Sequence, residues 1–227
     1  MASETAHPYD GQVAPGDAPQ TRDLPQLTIR KLAVSSMSNN VYLLTCRRTN
    51  RSLLIDAADD WPAIAALIEE AGTCVDTIVT THQHWDHVRA LDDAVRHTGA
   101  RTVAGVDDAP ELPVPVDQAA RQGDQVTVGS VTLDVIHLRG HTPGSIALAY
   151  RDPTGSTHLF SGDTLFPGGV GATTHFAYQS FAQLIDDVER RVFDVYDDST
   201  WVYPGHGGDT TLGAERPRLP EWRARGW

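Results

Sequence analysis

The chain has 227 residues, and its 18 Lys and Arg against 30 Asp and Glu give a formal net charge of −12 at pH 7. Phosphate backbones are bound mainly by clustered basic side chains, so this charge balance argues against a nucleic-acid-binding protein. There are two cysteines, and no stretch approaches the ~20 consecutive apolar residues of a membrane span. We therefore expect a cytoplasmic protein without structural disulfides or a membrane segment.

The first 25 residues are rich in proline and in small polar side chains, which predicts an N-terminal arm over residues 1–25 rather than a core element. Residues 26–227 are expected to form a single domain. In its first half, short β-branched runs alternate with helical spacing. The predicted strands there are Leu27–Val34, Val41–Thr45, Ser52–Ala57, Val75–Thr80 and Arg101–Ala104, and the predicted helices are Trp61–Ala71 and Asp86–Thr98.

The second half of the domain is richer in strands and follows a connection, Asp107–Asp117, that contains several Pro and Asp residues. The predicted strands are Gln125–Val128, Val131–Leu138, Ser145–Tyr150, His158–Ser161 and Thr200–Tyr203. A helix is predicted over Ser180–Val195, and Arg216–Trp227 is expected to be a short polar tail. An α/β fold with two sheets, covered on the outside by helices, is the simplest arrangement for this order of elements.

Three histidines and an aspartate follow the predicted strand Val75–Thr80 in the string His82-Gln83-His84-Trp85-Asp86-His87. Side chains alternate along an extended backbone, so His82 and His84 project to the same side. Asp86 and His87 fall where the chain turns into the next helix, so both can point back to the same space. Imidazole and carboxylate groups concentrated in this way predict a metal site at the end of a strand.

The string resembles the H-x-H-x-D-H signature of the metallo-β-lactamase fold superfamily, and more specifically that of its glyoxalase II-like hydrolases. Three later motifs occur in the family's order: Gly140–Ser145 with His141, Ser161–Phe166 with Asp163, and Tyr203–Gly207 with His206. The segments Phe166–Thr173 and Gly207–Pro217 are similar to those of short actinobacterial members. The resemblance covers the chain from about Leu27 to its end and implies a four-layer αββα sandwich.

The resemblance also implies two divalent metal ions, for which zinc is the first expectation and iron or manganese would suit the same ligands. The implied ligands are His82, His84 and His141 at the first ion, Asp86, His87 and His206 at the second, and Asp163 as a bridge between them. A hydroxide shared by the ions would be the nucleophile, because metal binding lowers the pKa of water toward ~7. Asp86 would also orient this hydroxide.

His175 follows the glycine-rich segment Pro167–Gly171 and is the one other histidine for which we consider a role, as a residue that lines the substrate pocket. The alternative interpretation is a loop histidine without a function. The sequence also departs from full-length glyoxalase II: 21 residues follow His206, where the family's longer members carry a helical domain that binds glutathione.

These features lead to the hypothesis of a metal-dependent hydrolase that cleaves a thioester, an S-acyl or S-formyl adduct of a small thiol such as mycothiol, in detoxification. The substrate is a small molecule, and the sequence leaves open whether the protein forms a homo-oligomer. A lactonase or another carboxylic ester hydrolase is the main alternative. A mononuclear-iron persulfide dioxygenase and a non-catalytic binding protein on the same scaffold also remain open.

Overall fold

The computed structural model describes residues 9–226. Two mixed β-sheets face each other, one of seven strands in the order β1-β2-β3-β4-β5-β6-β7 and one of six in the order β15-β14-β11-β10-β9-β8. The first sheet contains β1 Gln20–Asp23, β2 Leu27–Val34, β3 Asn39–Cys46, β4 Arg51–Ile55, β5 Cys74–Thr80, β6 Arg101–Gly105 and β7 Gln118–Ala120. The other strands are β8 Gln125–Val128, β9 Val131–His137, β10 Ile146–Arg151, β11 Thr157–Gly162, the hairpin β12 Leu165–Phe166 with β13 Gly169–Val170, β14 Trp201–Pro204 and β15 Thr210–Thr211.

Helices cover the outer face of each sheet. They are α1 Trp61–Ala71, α2 Leu91–Thr98, α3 Phe181–Val188, α4 Leu212–Glu215 and α5 Leu219–Arg225. Strand β3 shows why the layers form: Tyr42 and Leu44 pack between the two sheets, whereas Val41 and Leu43 pack under α1 and α2. All eight residues of β3 are buried because both of its faces are covered. The predicted α/β sandwich with four layers is confirmed.

In each sheet, two neighbouring parallel strands place the loops that follow them at the same edge of the sheet. Strands β4 and β5 are parallel neighbours in the first sheet, and β11 and β14 are parallel neighbours in the second. Asp56 directly follows β4 and His82 lies two residues beyond β5, while Asp163 directly follows β11 and His206 lies two residues beyond β14. The carboxyl ends of parallel strands meet at one edge of a sheet, so each pair of residues starts from the same edge.

Two predicted helices differ from the observed ones. Instead of a helix over Asp86–Thr98, a 3₁₀ turn spans Trp85–His87 and α2 begins at Leu91. The chain turns away because the backbone N–H groups of Arg89 and Ala90 donate to carbonyls of the preceding loop at residues 58 and 57. Instead of a single helix over Ser180–Val195, Ser180 caps α3, which ends at Val188 and continues as a π-helical turn.

The C-terminal residues are more structured than the predicted polar tail. Helix α5 places Trp222 against the outer face of the second sheet, where its side chain is completely buried. The Phe193 ring lies 6.3 Å from the Trp222 ring, centroid to centroid. Trp222 helps to hold this helix against the sheet, because a buried tryptophan removes a large apolar area from water. None of the helices within residues 9–226 is long and apolar enough to span a membrane.

Part of the proline-rich N-terminal segment lies against the domain. Residues 1–8 of the predicted arm fall outside the described range, whereas Gln20–Asp23 form β1 and pair with β2. The Tyr9 ring packs near Trp201 and Tyr203 at centroid distances of 6.2 and 6.3 Å. The division of the chain at residue 25 therefore stays a prediction.

A buried ion pair between Lys31 of β2 and Asp209, which lies just before β15, also contacts the N-terminal segment. Lys31 Nζ donates to the carboxylate of Asp209 at 2.7 Å and to the carbonyls of Gly11 and Gly207. Neither side chain of the pair is exposed to solvent. Burial lowers the pKa of Lys31, against the opposing effect of the Asp209 charge. Asp209 also accepts hydrogen bonds from the Tyr9 hydroxyl and the Trp201 indole.

We predict that Lys31→Met lowers the free energy of unfolding by about 3–5 kcal/mol, because the Asp209 carboxylate would remain buried without its cation. Urea-induced unfolding followed by circular dichroism measures this change. Arg51→Met is the control: it removes an ion pair with Asp76 in which both side chains are partly exposed, so it should cost about 1 kcal/mol or less. Equal losses in the two variants would contradict the assignment.

Candidate metal centre

The structure brings all seven sequence-predicted ligands together. Potential ligand atoms within 4.8 Å of one another form three groups: His82 with His84 and His141, His82 with His87 and Asp163, and Asp86 with His87 and His206. Asp163 lies between the first and last of these groups. One of its oxygens is 3.6 Å from His141 Nε2 and 3.3 Å from His206 Nε2, and the other is 3.3 Å from His87 Nε2.

Several of these atoms are buried without a hydrogen-bond partner. Among the described residues, His82 Nε2, His141 Nε2 and Asp163 Oδ1 are inaccessible and accept or donate no hydrogen bond. A buried polar atom without a partner costs on the order of 1–3 kcal/mol, so native proteins rarely leave one. Three such atoms converging on one place indicate a ligand that the protein atoms themselves do not supply.

The spacing of the ligand atoms fits metal ions. The Nε2 atoms of His87 and His206 are 3.1 Å apart, and Asp86 Oδ2 is 3.4 Å from the second of them. Atoms bound tetrahedrally at about 2.0–2.1 Å from one ion are separated by about 3.3 Å. The histidine and aspartate clusters therefore fit a dinuclear metal site, with a donor set that suits zinc, iron and manganese.

Hydrogen bonds on the far side of each ring decide which nitrogen faces the centre. The Nδ1 atoms of His87, His141 and His206 donate to the Asp56 carboxylate and to the carbonyls of Ala172 and Met37, at distances of 2.8–2.9 Å. These contacts leave each Nε2 for an ion. Partners of this kind fix the ring orientation and tautomer of metal-binding histidines.

Asp56 supports two rings at once. Its Oδ2 accepts hydrogen bonds from His87 Nδ1 at 2.9 Å and from the Thr81 hydroxyl at 2.8 Å. The Thr81 hydroxyl has then used its proton, so at its 3.0 Å contact with His82 Nδ1 the ring nitrogen is the donor. His82 consequently presents Nε2 to the centre, as His87 does.

His84 differs from the other four histidines. Its Nε2 lies 3.0 Å from the Tyr178 hydroxyl, which leaves Nδ1 as the ring nitrogen for the cluster. Asp86 is oriented by Asn39, whose Nδ2 donates to Asp86 Oδ2 at 3.0 Å. Sequence reasoning missed Asp56, Asn39 and Tyr178. Only Asp56 carried a signal, because it directly follows a buried strand that is the parallel neighbour of the strand before His82.

The carboxylates of Asp86 and Asp163 favour positive charge at the candidate metal centre. Burial would raise the pKa of Asp163 and of Asp86, but the neighbouring His87 and His206 rings hold both pKa values well below the usual range. Conversely, although burial opposes it, hydrogen bonds to Asp163 and Asp86 raise the pKa of His206 to about 10. Burial and the neighbouring His141 lower the pKa of His84 to about 4, which leaves that ring neutral and able to bind a metal.

Glycines let the backbone come close to the ligands. A Cβ atom at Gly205 would lie 2.1 Å from Asp163 Oδ1, and one at Gly171 would lie 1.9 Å from the Asp163 carbonyl oxygen and 2.9 Å from His141 Nδ1. Contacts this short do not occur with real side chains. Positions 171 and 205 therefore need glycine because a side chain at either one would collide with Asp163.

A cavity of about 360 Å³ opens over the centre. His84, Asp86, His141, Asp163 and His206 border it, together with Met37, Trp85, Ala172, His175, Phe176 and Gln179. The structure places His175 at the cavity but not among the ligand groups. No lysine or arginine is among the described residues that line the cavity.

Comparisons with known proteins agree with the fold and the cluster. Residues 36–206 match the model of the metallo-beta-lactamase superfamily, so the chain belongs to that superfamily. A hydroxyacylglutathione hydrolase of Rhodospirillum rubrum is 37% identical over 145 residues, which are 64% of this chain and 54% of that protein. One of Fuscovulum blasticum is 36% identical over 146 residues, 64% of this chain and 55% of that protein. The chain thus spans about half the length of the curated relatives it matches.

Solved structures resemble the chain over most of its length. ETHE1 from Myxococcus xanthus has a TM-score of 0.74 and 30% identity, covering 85% of this chain and 83% of that one. TTHA1623, solved in a di-iron-bound form, has a TM-score of 0.70 and 29% identity, covering 82% of this chain and 96% of that one. The BLEG-1 B3 metallo-beta-lactamase is 22% identical with a TM-score of 0.74, over 85% of this chain and 98% of that one, and shows the fold alone.

We predict that Asp56→Asn weakens metal binding by about 10- to 100-fold, because an amide is a poorer acceptor for the His87 and Thr81 donors. Titration of the metal-free protein against a chromophoric chelator measures the dissociation constants. Asp59→Asn is the matched control: it lies three residues further on and pairs with Arg89 rather than with a ligand. If both variants retain wild-type affinity, Asp56 does not orient the ligands.

Proposed function

We propose that this protein is a metal-dependent hydrolase that cleaves a thioester of a low-molecular-weight thiol. The observation that carries the proposal is the convergence of buried ligand atoms from His82, His141 and Asp163 that have no hydrogen-bond partner, beside an open cavity that His141 and Asp163 line. The curated relatives named hydroxyacylglutathione hydrolase support the thioester as the bond that is cleaved.

The proposed ligands divide into two sets of three with one shared carboxylate. His82, His84 and His141 would hold one divalent ion, Asp86, His87 and His206 the other, and Asp163 would bridge them. Zinc is our first expectation, with iron or manganese as alternatives. Bound ions would supply a Lewis acid for the substrate carbonyl and lower the pKa of the attacking water.

The side chains of this protein would do the remaining work. Asp86 is ionised, held by Asn39 and exposed to the cavity, so its carboxylate can accept a hydrogen bond from the attacking water and aim it at the carbonyl carbon. Asp163 offsets positive charge at the centre from its position between the two ligand sets. Cys46 and Cys74 do not line the cavity, so water rather than a cysteine is the proposed nucleophile. His175 would contact the substrate from the cavity wall.

The charge of the cavity bears on the thiol. Glutathione carries two carboxylates at neutral pH, and anionic ligands are bound mainly by arginine and lysine. Apart from the proposed metal ions, the described cavity lining contains neither residue. An uncharged thiol fits this lining better, which supports an S-acyl or S-formyl adduct of mycothiol and a role in cytoplasmic detoxification.

The direct test is hydrolysis of three substrates by the purified, metal-loaded protein: S-formylmycothiol, S-lactoylglutathione and an N-acylhomoserine lactone. We expect kcat/KM for the mycothiol thioester to exceed that for the glutathione thioester by at least about tenfold, a difference of about 1.4 kcal/mol in transition-state stabilisation. Rapid lactone turnover with inert thioesters would establish the lactonase alternative instead.

The number of bound metal atoms separates the remaining alternatives. Elemental analysis of the protein as isolated should find about two metal atoms per chain, as the two ligand sets require. A single iron atom, with oxygen consumption in the presence of a thiol persulfide, would favour the persulfide dioxygenase. Absence of metal, with no activity after metal loading, would favour a non-catalytic binding protein.

We predict that Asp163→Ala loses metal and activity together, because this carboxylate contacts ligands of both sets. Metal content and kcat should each be compared with the wild-type values, and kcat should fall by at least about 10²-fold. Asp187→Ala is a control from the same half of the chain, since that carboxylate pairs with Arg139 and Arg191 outside the cavity. Activity that survives Asp163→Ala would make the bridging role wrong.

A further inference from the structure

Exposed apolar side chains are concentrated around the cavity. Residues 9–226 contain five large apolar side chains that are exposed, namely Met37, Trp85, Phe176, Tyr178 and Val195. Met37, Trp85 and Phe176 line the cavity, and Tyr178 stacks on Phe176. Exposed large apolar groups that gather at one place mark a binding surface, whereas scattered ones need no explanation. Four of the five lie at this single location.

Phe176 and Tyr178 form a parallel pair that stands beside the metal ligands. Their ring centroids are 5.2 Å apart and their planes differ by 5°. The Phe176 ring also lies 5.2 Å from the ring of the ligand His84. The pair therefore extends from the metal centre outward, and its rings remain 47% and 39% exposed. Phe176 lines the cavity, and the Tyr178 ring stacks against it.

Hydrogen bonds hold this pair in place before any substrate arrives. The Tyr178 hydroxyl contacts His84 Nε2 at 3.0 Å. The neighbouring Gln179 accepts from the backbone N–H groups of His175 and Phe176 and donates to the His141 carbonyl at 3.0 Å. A surface that is already ordered loses little conformational entropy when a ligand binds to it.

We propose that Phe176 and Tyr178 form an aromatic subsite that binds an uncharged, ring-containing part of the substrate. This inference rests on the proposed function, because it concerns the group attached to the thioester that reaches the metal centre. Aromatic faces attract apolar ring faces and cations. The Trp85 ring at the edge of the cavity already contacts a cation of the protein. The Arg89 guanidinium lies over this ring at 3.8 Å and pairs with Asp59. An anionic group finds no lysine or arginine in the described lining.

The same geometry assigns a positioning role to Tyr178. Its hydroxyl fixes the His84 ring, and its own ring supports Phe176. Segment 172–179 as a whole contacts the far sides of His84 and His141. These are two ligands of the same proposed ion, so the aromatic subsite and the first ligand set form one connected unit.

The test compares three thioesters with one acyl group on different thiols: benzyl mercaptan, ethanethiol and 3-mercaptopropionate. Wild-type kcat/KM should be highest for the benzyl thioester. Phe176→Ala should lower kcat/KM for that substrate by about tenfold, mainly through KM, and change the value for the ethyl thioester by less than about twofold. Val195→Ala is the matched control, because Val195 is exposed but does not line the cavity. Equal losses for all three thioesters in Phe176→Ala would overturn the subsite.

A binding measurement separates this inference from the proposed function. Calorimetry with non-hydrolysable thioether analogues of the same three thiols should show the benzyl compound binding most tightly, with about tenfold weaker binding to Phe176→Ala. If the protein hydrolyses no thioester and the Phe176-dependent binding persists, the proposed function fails and the subsite stands. If it hydrolyses thioesters and Phe176→Ala binds all three analogues as the wild type does, the subsite is wrong.

Two further experiments test whether Phe176 and Tyr178 instead form an interface between copies of the protein, and whether Tyr178 positions His84. Sedimentation velocity should give the same oligomeric state for the wild type and Phe176→Ala. If the variant dissociates a wild-type dimer without changing analogue binding, the pair is an interface between copies and the subsite is overturned. Tyr178→Phe keeps the stacked ring but removes the hydroxyl, so it should weaken metal binding while preserving the preference for the benzyl compound. Unchanged metal affinity would remove the positioning role.

Discussion

Five imidazoles and two carboxylates point into a common space, where protein atoms satisfy only part of their hydrogen-bonding capacity. His82 Nε2, His141 Nε2 and Asp163 Oδ1 are buried there without hydrogen-bond partners, a cost that a bound metal ion would offset. The surrounding features serve this arrangement. Far-side hydrogen bonds turn each ring inward, and glycines at positions 171 and 205 let the Asp163 loop and the His206 loop approach.

The two halves of the fold contribute differently to the centre. The first sheet and its loops supply Asp56, Asn39 and the Met37 carbonyl, which orient His87, Asp86 and His206. Segment 172–179, which follows the β12–β13 hairpin, orients His84 and His141. The contacts that orient His84 and His141 therefore come from a different part of the chain than those that orient His82, His87 and His206, and Asp163 lies between the two proposed ligand sets. The proposed aromatic subsite lies beside His84.

Local patterns in the sequence were sufficient to predict most of the fold and to identify the seven proposed ligands, whose side chains the structure brings together. The spacing of His82, His84, Asp86 and His87 is short enough that one strand and one turn bring them together. Residues that contact a proposed ligand from far along the chain show no such pattern in the sequence. Asn39 contacts Asp86, which is 47 residues away in sequence, and Tyr178 contacts His84, which is 94 residues away. The prediction of a helix from Asp86 onward is wrong because the backbone N–H groups of Arg89 and Ala90 donate to carbonyls of another loop instead of to helical partners. The sequence predicts a polar tail because a single tryptophan, Trp222, among charged residues shows no hydrophobic periodicity.

We propose that these seven side chains form one dinuclear centre. Anomalous diffraction at the metal absorption edge, from crystals of the metal-loaded protein, would locate each bound metal ion. We expect two peaks, one enclosed by His82, His84 and His141 and one by Asp86, His87 and His206, with the Asp163 carboxylate between them. A single peak, or metal bound away from these residues, would contradict it.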